Sequence, residues 1–384
     1  MKRALPRLQQ RPVRILGLMS GTSLDGLDIV SVVWDNDKME SFQVEAFDTF
    51  EYSDVLQNKI LEAINGDAEK ICDINFILGN KWVNMVVEFL ENHKLQADSV
   101  NCIGSHGQTV WHVSGQSTLQ LGEPAVLASK TGIPVVSNFR EHDIAVGGTG
   151  APLIPFLDWL LYRDLPGHTI ALNIGGIANV TCITEGIEQG AVTGWDTGPG
   201  NMVVNTLMRQ FTDGQKLYDR DGVWAQKGKV NKDLLEDLLQ EEFIVQPPPK
   251  STGRELYSDA YIKQLFWDDG EPSQEEKCDL IATASEWTVA SIAQNIEQFW
   301  QSPDHINHVI VGGGGAHNPY IMERLGSYFP SAEIGSSNEY SLSENAKESV
   351  GFAVFARAYL KGVPGNMPGV TGAERSLVLG KLTL

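Results

Sequence analysis

Four short segments of this 384-residue chain concentrate the residue types that handle phosphate and protons. Gly21-Thr22-Ser23-Leu24-Asp25-Gly26-Leu27-Asp28 brings two glycines, two hydroxyls and two carboxylates into eight residues. Glycine lets backbone N–H groups approach a phosphate closely, and the hydroxyls add donors. Carboxylates beside such a cradle repel phosphate unless Mg²⁺ or its waters intervene, which makes Asp25 and Asp28 candidate metal ligands. The competing reading is a plain tight hairpin turn. Asn173 to Asn179, with Gly175 and Gly176, offers further backbone donors, although a glycine pair in a hairpin usually marks only a turn. The run Gly312-Gly313-Gly314-Gly315, followed by Asn318, suits a flat base lying on bare backbone; a flexible hinge is the alternative. Finally, Asp196 in Gly194-Trp195-Asp196-Thr197-Gly198-Pro199-Gly200-Asn201 is a lone carboxylate in what reads as a rigid loop. It could accept a proton from a hydroxyl or water, or merely cap the helix that Asn201 starts.

The elements that must carry these segments alternate between strand and helix. Val13–Leu18 and Leu27–Trp34 are apolar runs around the first loop and read as a hairpin. Helical spacing follows over Ser53–Ile64, stopped by Asn65-Gly66, and again in a long amphipathic helix for which Asp73 is the expected N-cap. Val100–Gly104, Thr118–Leu121 and Ile133–Val136 read as short strands. A second hairpin, Thr169–Asn173 and Asn179–Ile183, repeats the pattern of the first. A long helix over Asp279–Trp300, a strand His308–Val311 and a helix from Pro319 complete the second half. The recurrence predicts two α/β lobes of similar topology. Asp143–Gly150, with three glycines, is the expected boundary, giving a first lobe of 13–145 plus 345–384 and a second of 146–344.

Composition narrows the partners. A chain of this length suits two domains, and 42% hydrophobic with 20% charged residues is an ordinary globular profile. The net charge of −20 argues against a broad nucleic-acid or anionic-membrane surface, both of which need basic patches. Four scattered cysteines suggest buried free thiols in a reducing compartment. Residues 1–12 read as a disordered leader with no signal-peptide core, and no apolar run approaches the roughly 18 residues that span a bilayer. A cytoplasmic location is expected.

Read together, LMSGTSLDGLD (Leu18–Asp28), IGSHGQT (Ile103–Thr109), GGTGAPL (Gly147–Leu153), LNIGGIANVT (Leu172–Thr181), DTGPGN (Asp196–Asn201), KSTGRE (Lys250–Glu255) and VGGGGAHN (Val311–Asn318) resemble the anhydro-N-acetylmuramic acid kinases of bacterial cell-wall recycling. The resemblance runs from about residue 14 across almost the whole chain. It implies two actin-like (ribonuclease H-like) α/β lobes with an active-site cleft between them, and use of ATP with Mg²⁺. It also implies a coupled reaction: water opens the 1,6-anhydro ring of the amino sugar, and the freed O6 takes the γ-phosphate. Asp196 matches the family's catalytic base, and Gly21–Asp28 its phosphate loop.

For the sugar, Ser105, His106 and Gln108 follow an expected strand, and Arg140 lies in a polar loop. Its planar fork suits the lactyl carboxylate of a muramic acid. Glu348, in the helical stretch Glu344–Leu360, is a further sugar contact; the alternatives are a backbone-bonded His106 and a merely exposed Glu348. The small-molecule reading leaves a homodimer open. An actin-like ATPase switch, or a kinase of another amino sugar, shares most of these loops.

Overall fold

The computed structural model describes residues 8, 11–21, 24–253, 256–266, 271–300, 305–340 and 342–384. Thr22 and Ser23 of the first loop, Arg254 and Glu255 of KSTGRE, and most of the expected leader 1–12 lie outside the described residues. The chain divides into two compact units, Met1–Leu161 with Asn345–Leu384, and Tyr162–Glu344. The glycine-rich stretch Asp143–Gly150 lies within the first unit, and Asp143 shows why. Its buried Oδ1 accepts from Asn366 Nδ2 at 3.0 Å and Thr371 Oγ1 at 2.8 Å, and its Oδ2 from Gly150 N at 2.8 Å. Those bonds tie the stretch to the C-terminal segment of the same unit.

The first unit opens with β1 (Val13–Ser20), β2 (Gly26–Trp34) and β3 (Gln43–Glu51), followed by helices α1 (Asp54–Ile64) and α2 (Ala68–Asn92). Ser53 caps α1, its side chain accepting from Leu56 N. The cap of α2 is Asp67, not Asp73: its carboxylate accepts from Lys70 N at 3.1 Å, and Asp73 sits exposed inside the helix. The stop at Gly66 is followed at once by a new start, so the helical spacing begins a turn and a half earlier than expected. Then come β4 (Cys102–Val113), β5 (Ser117–Leu121), α3 (Pro124–Thr131), β6 (Val135–Ser137), α4 (Arg140–Ile144) and α5 (Pro155–Tyr162). The strand β4 does not end at Gly104. It runs through the polar SHGQT segment because Ser105, His106 and Gln108 are buried beneath neighbouring elements.

The second unit holds β7 (His168–Ile174), β8 (Ile177–Thr184), β9 (Thr193–Pro199) and α6 (Asn201–Phe211). These lead through α7 (Lys232–Leu238), α8 (Glu242–Val245) and α9 (Asp259–Phe266) to the long α10 (Gln274–Phe299), which starts on a Ser273/Glu276 capping box. It closes with β10 (His308–Gly312), α11 (Pro319–Tyr328) and β11 (Glu333–Ser336). Helix α12 (Glu344–Lys361), α13 (Pro368–Thr371) and β12 (Lys381–Thr383) end the chain.

Both sheets have one topology. The first runs β12-β6-β4-β1-β2-β3 with β5 paired to β4, the second β11-β10-β7-β8-β9. In each, three antiparallel strands are followed by a crossover to strands parallel with the first. This duplicated order is the actin-like, ribonuclease H-like lobe that the two similar hairpins foreshadow. One face of the first sheet buries α1 through Leu56 and Ile60 and α2 through Trp82, Val86 and Phe89. On the other, α12 presses its backbone onto Gly17 and Gly104, register partners on β1 and β4. A Cβ at Gly17 would stand 1.9 Å from Ser349 O, and one at Gly104 2.1 Å from Phe352 O. Only glycine permits that approach, and it seats the helix turn that carries Glu348.

In the second unit α10 lies under β9 with an unusually polar buried stripe. Asn295 Nδ2 reaches Thr197 O at 3.3 Å and Thr288 Oγ1 reaches Gly200 O at 3.1 Å, so the stripe satisfies the backbone of the DTGPG segment. Of the cysteines, Cys102, Cys182 and Cys278 are buried free thiols, but Cys72 is exposed on α2. Among the described residues no helix is long and apolar enough to cross a membrane.

Candidate active site

The first glycine-rich loop is held from below by a directed hydrogen-bond chain. Trp82 Nε1 can only donate, and it gives its proton to Tyr52 Oη at 2.8 Å. Tyr52 then donates to Ser20 Oγ at 2.8 Å, and Ser20 to Gln108 Oε1 at 2.6 Å. Gln108 Nε2 completes the chain on Gly21 O at 3.0 Å. All four side chains are buried, so each bond is made out of water's reach; the chain holds the start of the loop at Gly21, and Ser20 Oγ also lies 3.1 Å from Gly26 O near its end. The buried Leu24 side chain pins its middle, and Asp25 O accepts from Tyr52 N at 2.8 Å. Gln108 is thus engaged in shaping the loop and does not present its amide outward as a sugar contact.

At the end of the loop Asp28 accepts from Thr49 Oγ1 at 2.6 Å. Its carboxyl is raised above the usual range, by desolvation first and by the neighbouring Asp25 charge, against the lowering bond from Thr49. Two adjoining carboxylates are a donor set that fits Mg²⁺, which keeps several waters and takes phosphate oxygens as its remaining ligands. Among the described residues no cluster of three or more His, Cys, Asp or Glu forms a closed metal cage.

Arg140 opens α4, and two bonds fix its guanidinium. Nε donates to His106 Nε2 at 3.0 Å and Nη1 to Gly150 O at 2.8 Å. Because arginine cannot accept, His106 must be the neutral Nδ1–H tautomer. Burial and the Arg140 charge agree, holding the imidazole well below its ordinary range. His106 lies within β4, not after it, and its ring packs tilted against Phe352, with centroids 4.5 Å apart. It therefore orients Arg140 from behind. Desolvation pushes the guanidinium down to about 10, still charged at neutral pH. Glu348 on α12 is solvent-accessible, and its carboxyl is shifted upward by desolvation, pulled back by Arg140 and raised again by Asp28. Because the side chain meets water, that desolvation is weaker than full burial would give. Ser105 is buried in β4, and its hydroxyl finds no hydrogen-bond partner among the described residues. Asp28, Arg140 and Glu348 are thus brought into one electrostatic neighbourhood, whereas Gln108 and His106 support it.

Asp196 belongs to strand β9, paired to Asn179 of β8, and not to a loop. Nor does it cap α6, whose N-cap is Gly200. Its partners come from KSTGRE: Ser251 Oγ donates to Oδ2 at 2.9 Å and Thr252 N at 2.8 Å, while Asp196 N donates to Lys250 O at 3.3 Å. The residue is only 7% exposed. Desolvation raises its carboxyl to about 6, and the Thr252, Ser251 and Lys250 contributions moderate the rise. A carboxylate near pH 6 is a competent base at neutral pH. Lys250 is itself buried, donating to Phe243 O at 2.8 Å and Ile244 O at 2.9 Å, and burial pushes it down to about 8.

In the same unit a cavity of about 510 Å³ is lined by Gly314 and Asn318, both expected at a base-binding site, and by Asn201, Asn205, Tyr218 and Arg220. Its volume suits a nucleoside. Gly313 and Gly315 are packed against the β7–β8 hairpin, where added Cβ atoms would meet Asn173 Oδ1 at 2.7 Å and Ile174 Cβ at 2.5 Å. The four-glycine run is close-packed in the structure and is no free hinge. Gly312 ends β10 opposite Asn173. The N–H of Gly175 bonds Ile177 O at 3.2 Å, and the Gly175 and Gly176 carbonyls receive Asn201 N at 2.7 Å and Gly200 N at 2.8 Å. That pair therefore anchors the start of α6, with the Gly175 donor already engaged. Tyr218 and Arg220 have no motif in the sequence; only the folding back of 215–224 beside α6 brings them to the cavity.

Comparison with known proteins identifies the family. The family model for anhydro-N-acetylmuramic acid kinase matches residues 13–384. The anhydro-N-acetylmuramic acid kinase of Caldanaerobacter subterraneus subsp. tengcongensis is 38% identical over 384 residues, covering 96% of each chain. That of Clostridioides difficile is 35% identical over 378 residues, covering 96% of this chain and 97% of its own. Among solved structures, component A of the (R)-2-hydroxyglutaryl-CoA dehydratase of Acidaminococcus fermentans covers 91% of this chain at 11% identity and a TM-score of 0.42. With a family model spanning nearly all of its length and relatives at this identity, the chain belongs to the anhydro-N-acetylmuramic acid kinase family.

Proposed function

We infer that this protein hydrolyses the 1,6-anhydro ring of 1,6-anhydro-N-acetylmuramic acid and phosphorylates O6 from ATP, giving N-acetylmuramic acid 6-phosphate and ADP in cell-wall recycling. The observation that carries the chemistry is Asp196, a buried carboxylate with one oxygen clamped and a proton affinity set near pH 6. In this reading its free oxygen takes a proton from water as the water oxygen bonds to C1. The C1–O6 bond breaks, O6 bonds to the γ-phosphorus, and the bond from γ-phosphorus to the β–γ bridging oxygen breaks to release ADP. O6 is leaving group and nucleophile in turn, so one base serves both halves.

Arg140 holds the substrate carboxylate through its remaining N–H groups, and Glu348 accepts from sugar hydroxyls. The loop Gly21–Asp28, with Gly175 and Gly176 supporting its counterpart, faces the phosphates. Gly312–Gly315 and Asn318 take the adenosine. Asp25 and Asp28 would hold Mg²⁺ through oxygen or its waters, and when bound the ion neutralises phosphate charge. Cytoplasmic location follows from the need for ATP, and a net charge of −20 supports the absence of a nucleic-acid partner.

The test is incubation with ATP, Mg²⁺ and the anhydro sugar in ¹⁸O-labelled water. ADP should form only with the sugar present, and label should enter at C1. Sugar-independent ATP hydrolysis, or label in the phosphate, would refute the reaction.

A further inference from the structure

Lys250, Ser251 and Thr252 come from a segment whose role is not evident in the sequence, yet they surround one carboxylate more than fifty residues away. We propose that Ser251 and Thr252 are positioning residues for the base: they lock Asp196 Oδ2 and leave Oδ1 as the single proton-accepting atom. The inference rests on the reading of Asp196 as base.

The geometry supports each part. Two donors, a hydroxyl at 2.9 Å and a backbone N–H at 2.8 Å, converge on Oδ2, while Oδ1 has no protein partner among the described residues. Donors on a carboxylate draw its charge toward the bonded oxygen and stop rotation about χ2, so the other oxygen keeps one direction. The clamp is itself anchored. Lys250 Nζ is tied to two carbonyls of α8 and lies 4.9 Å from the centre of the Phe243 ring and 5.2 Å from that of Phe299. Its carbonyl also receives the Asp196 N–H, so the segment docks on β9 by backbone and side chain together.

Lys250 thereby stands near Asp196 as a charge without forming a direct ion pair. A direct ammonium contact would hold the carboxylate ionised and lower its basicity. Among the described residues, the charged or titratable groups facing Asp196 are Lys250 and, more weakly, Tyr257. Helix α10, packed against β9, presents Thr288, Ser291 and Asn295 there, none of which titrates.

The experiment compares Ser251→Ala, Ser251→Thr and Asp196→Asn with the unaltered enzyme, measuring kcat, KM for sugar and ATP, and the pH profile of kcat/KM. Ser251 is exposed on its outer side, so both substitutions should fold; Ser251→Gly replaces the alanine variant if a melt shows otherwise. Removing a bond that favours the ionised form should move the acid limb upward by about one pH unit. It should lower kcat roughly tenfold with KM changed less than about twofold, and threonine should restore both. An unmoved acid limb, a loss confined to KM, or a loss that threonine does not repair would overturn the clamp. An active Asp196→Asn enzyme would instead remove the base assignment, leaving the two failures distinguishable.

Discussion

Replacing Asp196 with asparagine should inactivate the enzyme and stabilise the fold, and both effects can be worked from one carboxylate. Asparagine keeps the shape, and its carbonyl oxygen can still accept from Ser251 Oγ and Thr252 N. What it loses is the basic oxygen and the charge. Loss of a general base typically costs between about 10² and 10⁴ in rate, so kcat should fall in that range while the substrates still bind. On the stability side, the carboxyl rises from an ordinary 3.8 to about 6, roughly two units. At about 1.4 kcal/mol per unit, the ionised folded state carries a penalty of about 3 kcal/mol. Because the folded-state pKa is the higher one, the folded protein binds the proton more tightly. The contribution of this carboxyl to wild-type stability is therefore greatest below about pH 4, falls as pH rises through 6, and stays lower above it. The asparagine variant has no such slope from this site. Urea unfolding at pH 5 and pH 7.5, paired with ADP-release assays, measures both quantities. The variant should gain up to about 3 kcal/mol at pH 7.5 and clearly less at pH 5. A variant less stable than wild type at pH 7.5, or one that retains turnover, would refute the argument.

Arg140→Lys removes the fork that His106 Nε2 and Gly150 O orient, leaving a mobile point charge. The sugar KM should rise by about tenfold to a hundredfold with a smaller change in kcat, and an unchanged KM would exclude a carboxylate anchor at this position. Gly17→Ala places a methyl 1.9 Å from Ser349 O and must displace α12. Denaturant unfolding should show a loss of about 3 kcal/mol, and the sugar KM should rise because Glu348 sits on the displaced turn. Unaltered stability would mean that the helix is not held by this contact.

Much of the framework was legible because it depends on neighbours in sequence. The two hairpins, the helical span of α1 and the starts of α6 and α11 follow from apolar alternation, caps and glycine, which act within a turn or two. The misreadings share a cause. Asp67 competes with Asp73 as a cap, and only the packing of the first turns of α2 selects it. SHGQT and DTGP look like loops because polar residues normally need water. In the structure Ser20 and Arg140 bond to Gln108 and His106, and Ser251, Thr252 and, from the α10 stripe, Asn295 bond to the DTGP segment, so partners replace much of that water and both segments remain strands.

Residue order alone therefore determined that glycine-rich turns recur in each half, and that one carboxylate, Asp196, stands apart from them. It could not say which oxygen of that carboxylate is free, that Gln108 faces a loop backbone and not a sugar, or that Tyr218 and Arg220 line the cavity beside Gly314. Those properties depend on groups many residues apart meeting at about 3 Å, with water excluded around them. Burial and orientation, which set proton affinity and direction, come into being only when the sheets and helices close on one another.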